Sequence, residues 1–93
     1  MLSIIKQTIY QSRKNKEKEL EIKLYNLKNL LVDFEACDYF GVYKSDDCDD
    51  EFLVYEEWKS EEDYVASQDS EAYKSFQKTY DELVLKKHNL PVF

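Results

Sequence analysis

The sequence predicts an α+β fold: one antiparallel four-stranded sheet with helices stacked on a single face. Three patterns carry that expectation. Short stretches alternate apolar and polar residues as half-buried strands do, one long stretch repeats leucine at helical spacing, and an acid-rich SDDCDD turn links two of the strands. The elements run β-α-β-β-α-α-β along the chain.

Leu2, Ile4 and Lys6 alternate with Ser3, Ile5, Gln7 and Ile9, which predicts a first strand over residues 2–10. Leu20, Leu24, Leu27, Leu31 and Phe34 then form one apolar stripe, so a helix is expected from about 14 to 36. Its other face carries Lys18, Lys23 and Lys28 among acids and is solvated. Residues 39–44, rich in aromatic and β-branched side chains, predict a second strand, and 51–58 a third, with SDDCDD as the hairpin turn. That turn lacks the central Gly and spaced Glu of a calcium loop.

Ser60 before Glu61, Glu62 and Asp63 is an N-cap signal with acids in the first turn, and Ser70 before Glu71 repeats it. The second of these helices is expected to run to about Lys87, carrying Tyr73, Phe76, Tyr80, Leu83 and Val84 on one side. His88 then falls near a helix C-terminus, and residues 90–93 form a short last strand or arm. This order is that of a ferredoxin-like split β-α-β layer. Such a layer leaves one sheet face bare, and aromatic residues on several strands would make that face a large exposed patch. A homodimer through the open sheet face removes the problem.

Ninety-three residues make one domain, 1–93, with no room for a second core. A net charge of −7 argues against a nucleic-acid backbone or an anionic membrane surface as partner. No apolar run reaches the roughly 18 residues of a membrane span, and the first residues lack the form of a signal peptide, so a cytoplasmic location is expected. Cys37 and Cys48 sit at opposite ends of the predicted hairpin, too far apart to bridge, and with His88 they make no zinc pattern.

The most informative segment is Phe52 to Tyr80. Phe52, Val54, Glu56 and Trp58 share one strand face, which puts a carboxylate and an indole on an apolar surface. A buried charge is costly unless hydrogen-bonded, so Glu56 marks a candidate site. Bland readings stand beside the chemical one. Trp58 suits a core position, Glu56 a cross-sheet hydrogen bond, and Tyr64, Tyr73 and Tyr80 a half-buried helix face.

At Glu56-x-Trp58, followed by Ser60, Tyr64, Ser70 and Phe76, with Tyr43 on the preceding strand, the chain resembles the antibiotic biosynthesis monooxygenase family. The resemblance covers most of the chain and implies a dimeric α/β barrel. It implies an oxygenase working without metal, flavin or haem on a quinol or similar electron-rich aromatic, with dioxygen as co-substrate. Glu56, Trp58 and Tyr64 would be the catalytic residues, and Tyr43, Ser67 and Phe76 would line the substrate pocket. One departure stands out: Ser67 replaces the histidine that many members carry three residues before the serine at 70. The haem-degrading branch is a poor match, because its haem-ligating histidine would fall near Gln77 and its tryptophan near Ser67. A non-catalytic small-molecule-binding or stress-response member of the same barrel group is the alternative.

Overall fold

Alternation and helical spacing produce most of the expected elements in the computed structural model, which describes residues 3–31 and 34–91. The strands are β1 (Ile4–Ser12), β2 (Cys37–Lys44), β3 (Glu51–Trp58) and β4 (Val84–Leu90). The helices are α1 (Glu17–Leu31), α2 (Glu61–Ser67), α3 (Glu71–Gln77) and the single turn α4 (Tyr80–Leu83). All strand pairs are antiparallel, in the order β2-β3-β1-β4, which is the ferredoxin-like arrangement.

The sheet has two unlike faces because side chains alternate along each strand. Tyr10 pairs with Phe52 and Thr8 with Val54, and all four are buried under the helices. Val42 pairs with Val54 and Phe40 with Glu56 on the same inner face. The α1 stripe of Leu20, Leu24, Leu27 and Leu31 closes the core, and each is 2% exposed or less. Burying a leucine of this kind contributes roughly 1.5–3 kcal/mol, so the stripe is what holds α1 to the sheet.

Several expectations are corrected. The long helix predicted to Lys87 ends at Gln77, and after α4 the chain turns into β4. Thr79 offers α4 no side-chain cap. Beside it, β1 would leave its edge from Gln7 to Ser12 unpaired, and β4 pairs with it, so the sheet ladder overrides local helix preference. His88 therefore lies on a strand, opposite Ile9, and not at a helix end. Pro91, which has no N–H to donate, follows the end of β4. The first strand is also shifted, to 4–12, and α1 stops before Phe34. Leu2, Val92 and Phe93, assigned above to strands, lie outside the described residues.

The hairpin turn is ordinary. Ser45 Oγ accepts from the backbone N–H of Asp47 (3.3 Å) and Cys48 (3.2 Å), and no metal-binding cluster occurs among the described residues. Both cysteines are free. Burial, with the nearby Glu56 charge, pushes the Cys37 thiol up to about 11, so it behaves as a small core side chain. No helix among the described residues is long and apolar enough to cross a membrane.

Candidate active site

Glu56 and Trp58 are two apart on β3 and so project from the same face, inward. The indole Nε1–H donates to Glu56 Oε1 at 3.1 Å. A third residue completes the group: the Tyr73 hydroxyl donates to the same Oε1 at 2.8 Å. Trp58 is fully buried, Glu56 is 3% exposed and Tyr73 is 6% exposed. No described residue donates to Glu56 Oε2.

Local sequence sets each partner. Ser70 caps α3 by accepting from the Tyr73 N–H (3.4 Å), which starts the helix where the Tyr73 ring faces the sheet. Ser60 caps α2 by accepting from the Asp63 N–H (3.1 Å), and one residue later Tyr64 points inward. The Tyr64 ring meets Trp58 edge-on at 6.0 Å, and Phe34 meets the indole from another direction at 5.7 Å. The indole is thus clamped between two rings with its N–H fixed on the carboxylate.

Burial raises the Glu56 pKa above the ordinary carboxyl range, and the Tyr73 and Trp58 hydrogen bonds oppose that shift, as do the Lys87 and Lys6 charges. Burial also raises the phenols of Tyr10, Tyr73 and Tyr64, with the Glu56 charge adding to each. These tyrosines are neutral donors at any physiological pH. Glu56 is the carboxyl of the cluster, with its proton held more tightly than on an exposed glutamate.

Lys6 lies directly across from Glu56 on β1. Its ammonium sits 4.9 Å from the Tyr64 ring centroid and 3.2 Å from Glu61 Oε1. Beside it a cleft of about 460 Å³ opens between α2 and the β1–β4 pair, lined by Lys6, Thr8, Tyr64, Asn89 and Leu90 among others. Glu56 and Trp58 do not line this cleft. They lie behind the wall formed by Lys6 and Tyr64.

The expected site residues divide accordingly. Glu56, Trp58 and Tyr64 come together, and Tyr64 alone of them reaches the cleft. Phe76 is buried against Tyr10 (5.8 Å) and Tyr80 (6.1 Å) and borders a small cavity of about 30 Å³ shared with Gln68, Tyr73 and Lys87. Ser67 is fully buried, and its hydroxyl donates to the Tyr64 carbonyl at 2.6 Å, so it finishes α2 and lines none of these cavities. Tyr43 is on the wrong face. Its neighbours Phe40 and Val42 point inward, so Tyr43 points out, 47% exposed, with its hydroxyl bonded to that of Tyr39. It cannot donate to a substrate beside Glu56.

Sequence reasoning passed over Tyr73, Lys6, Thr8 and Asn89. Lys6 carried a signal, as the one charged residue in an inward series with Ile4, and Tyr73 carried one in following a capping serine by three.

Comparison with known proteins adds to this geometry. The family model for antibiotic biosynthesis monooxygenase matches residues 3–79. The chain belongs to this family. No curated protein matches the chain. Among solved structures, it is similar to a candidate antibiotic biosynthesis monooxygenase from Nitrosomonas europaea, at 14% identity over 92% of this chain and 84% of that one, with a TM-score of 0.87. A second such protein, from Bacteroides thetaiotaomicron, is 9% identical over 99% and 89%, with a TM-score of 0.90. A conserved protein from Methanosarcina mazei is 22% identical over 100% and 95%, with a TM-score of 0.85. Likeness at such identities shows a shared fold. Within the antibiotic biosynthesis monooxygenase family, then, this chain holds its buried Glu56 carboxylate with Trp58 and Tyr73.

Proposed function

We infer that the protein is a cofactor-independent monooxygenase acting on a quinol or similar electron-rich aromatic. Family membership over residues 3–79 supports oxygenase chemistry, and the observation that carries the specific reading is the buried Glu56 held by two neutral donors beside the cleft. A carboxylate whose pKa burial has raised is a stronger base toward a phenolic proton than an exposed one. Tyr64 and the Lys6 stem, both partly exposed, are the wall that must swing aside to admit the substrate to Glu56. Trp58 and Tyr64 then supply the apolar surface that keeps the phenolate dry.

The chemistry balances without a cofactor. The phenolate gives an electron to dioxygen, and the radical pair combines at a ring carbon. Loss of water from the resulting peroxide converts one C–H to C–O and the quinol to a quinone. Both electron pairs come from the substrate, one oxygen atom enters it, and the other leaves as water. Glu56 returns its proton during that loss.

The same chain assembles as a dimer through the outer sheet face. Tyr39, Tyr43, Leu53, Tyr55 and Glu57 border a shallow concavity there of about 430 Å³, and Tyr39 and Tyr43 close over Gly41 with their hydroxyls bonded together. A Cβ at Gly41 would lie 2.7 Å from Tyr43 Cε2, so glycine is what lets the rings lie flat on the strand. A flat aromatic face of this kind suits a second copy. The two free thiols accord with a cytoplasmic location.

A binding role without turnover is the second reading, favoured by the wall between Glu56 and the cleft. Oxygen uptake separates the two. With menadiol the wild type consumes oxygen well above background, and Glu56→Gln and Trp58→Phe do not. Equal uptake by wild type, both variants and buffer would leave only the binding reading.

A further inference from the structure

The cleft carries one cation, Lys6, among the neutral polar side chains of Gln7, Thr8, Tyr64 and Asn89. No acidic residue lines it, although the chain has 20 acidic residues against 13 basic ones. Lys6 brings an ammonium to its wall. Thr8, 4% exposed, donates its hydroxyl to Asn89 Oδ1 at 3.3 Å, which orients the exposed Asn89 amide and leaves its N–H groups open to a ligand in the cleft.

The cleft already shows what Lys6 selects. The Glu61 carboxylate reaches it at 3.2 Å from the start of α2, while the Lys6 ammonium lies over the Tyr64 ring. Glu61 is 60% exposed on its side chain, and an exposed ion pair of this kind holds weakly. A ligand carboxylate offering the same geometry, with a second contact at Asn89, displaces it readily. About 460 Å³ is room for a small aromatic of two or three rings.

We propose that this cleft binds a planar aromatic carboxylate, with its ring against Tyr64 and its carboxylate shared by the Lys6 ammonium and the Asn89 amide. The proposal rests on the functional reading above only in naming the substrate class of that reaction: a hydroxylated aromatic acid in preference to a neutral quinol. Lys6 and Asn89 are then specificity residues, holding the acid group in the cleft on the open side of the Tyr64 wall.

Calorimetric titration of the full chain with 1-hydroxy-2-naphthoate and with 1-naphthol tests the binding claim. The carboxylate is expected to bind about tenfold more tightly than the neutral phenol, the worth of one charge-assisted contact. That ratio falls toward one in Lys6→Gln, persists in Lys6→Arg, and rises several-fold in Glu61→Gln, where the internal competitor is gone. Circular dichroism of each variant confirms that the fold is intact. Equal affinity for the two probes, no binding of either, a preference that survives Lys6→Gln, or no gain in Glu61→Gln overturns the proposal. Oxygen uptake separates this claim from the functional one. Tight carboxylate binding without oxygen consumption from 1,4-dihydroxy-2-naphthoate sinks the oxygenase reading and leaves the site. Equal turnover of that compound and of 1,4-dihydroxynaphthalene sinks the site and leaves the oxygenase.

Discussion

Replacing Tyr73 by Phe removes one hydroxyl from the buried cluster and leaves the ring that packs on the sheet. The lost contact is a 2.8 Å O–H···O bond to an acceptor that is 3% exposed, so water cannot replace it. A hydrogen bond to a charged group contributes about 1.5–3 kcal/mol and one to a neutral group about 1 kcal/mol. With Glu56 ionised, at pH above its raised pKa, Tyr73→Phe is therefore expected to cost about 2 kcal/mol. In a Glu56→Gln background, where the acceptor is a neutral amide oxygen, the same change costs about 1 kcal/mol. The difference, about 1 kcal/mol, is the coupling between hydroxyl and charge. Urea unfolding at one fixed protomer concentration reads both values, because a dimer's stability depends on concentration. Trp58 is the only tryptophan and is fully buried beside Glu56, so its fluorescence reports the cluster directly. A cost below about 0.5 kcal/mol in the wild-type background, or the same cost in both backgrounds, would refute a carboxylate held by the Tyr73 hydroxyl.

Further outcomes follow from the same geometry. Because the folded state holds the Glu56 proton more tightly than the unfolded chain does, this group's contribution to stability is complete below about pH 4 and is lost as pH rises through its raised pKa. Urea midpoints measured across that range should fall for wild type relative to Glu56→Gln, and parallel curves would contradict the raised value. Leu24→Ala empties a position with 0% exposure under α1 and should cost about 2–5 kcal/mol in the same assay. Tyr55→Asp places a charge beside Tyr39, whose ring lies 5.9 Å from that of Tyr55, and should convert the proposed dimer to a folded monomer in sedimentation velocity. A wild-type monomer at micromolar concentration would contradict the interface itself.

What the sequence disclosed depended on how local each feature is. The β3 alternation of Phe52, Val54, Glu56 and Trp58 and the two serine caps are short-range patterns, so the pairing of carboxylate and indole was legible in the order of residues. β4 was not legible there. Val84-Leu85-Lys86-Lys87 suits the end of a helix, and only the free edge of β1, remote in the chain, makes it a strand. Tyr43 was misplaced for a related reason. Tyr39, Gly41 and Tyr43 look as apolar as Phe40 and Val42, and the register with β3 decides which set faces the helices. The Tyr73–Glu56 bond joins a helix to a strand 17 residues apart, and spacing alone cannot announce such a contact.

The measurement that bears most directly on the account is the fate of labelled dioxygen. Wild-type protein given menadiol under ¹⁸O₂ should yield a hydroxylated quinone carrying one labelled atom, with the other recovered in water, and Glu56→Gln should yield background only. Unlabelled product, or equal incorporation by the wild type and Glu56→Gln, would show that the buried carboxylate does not perform this reaction.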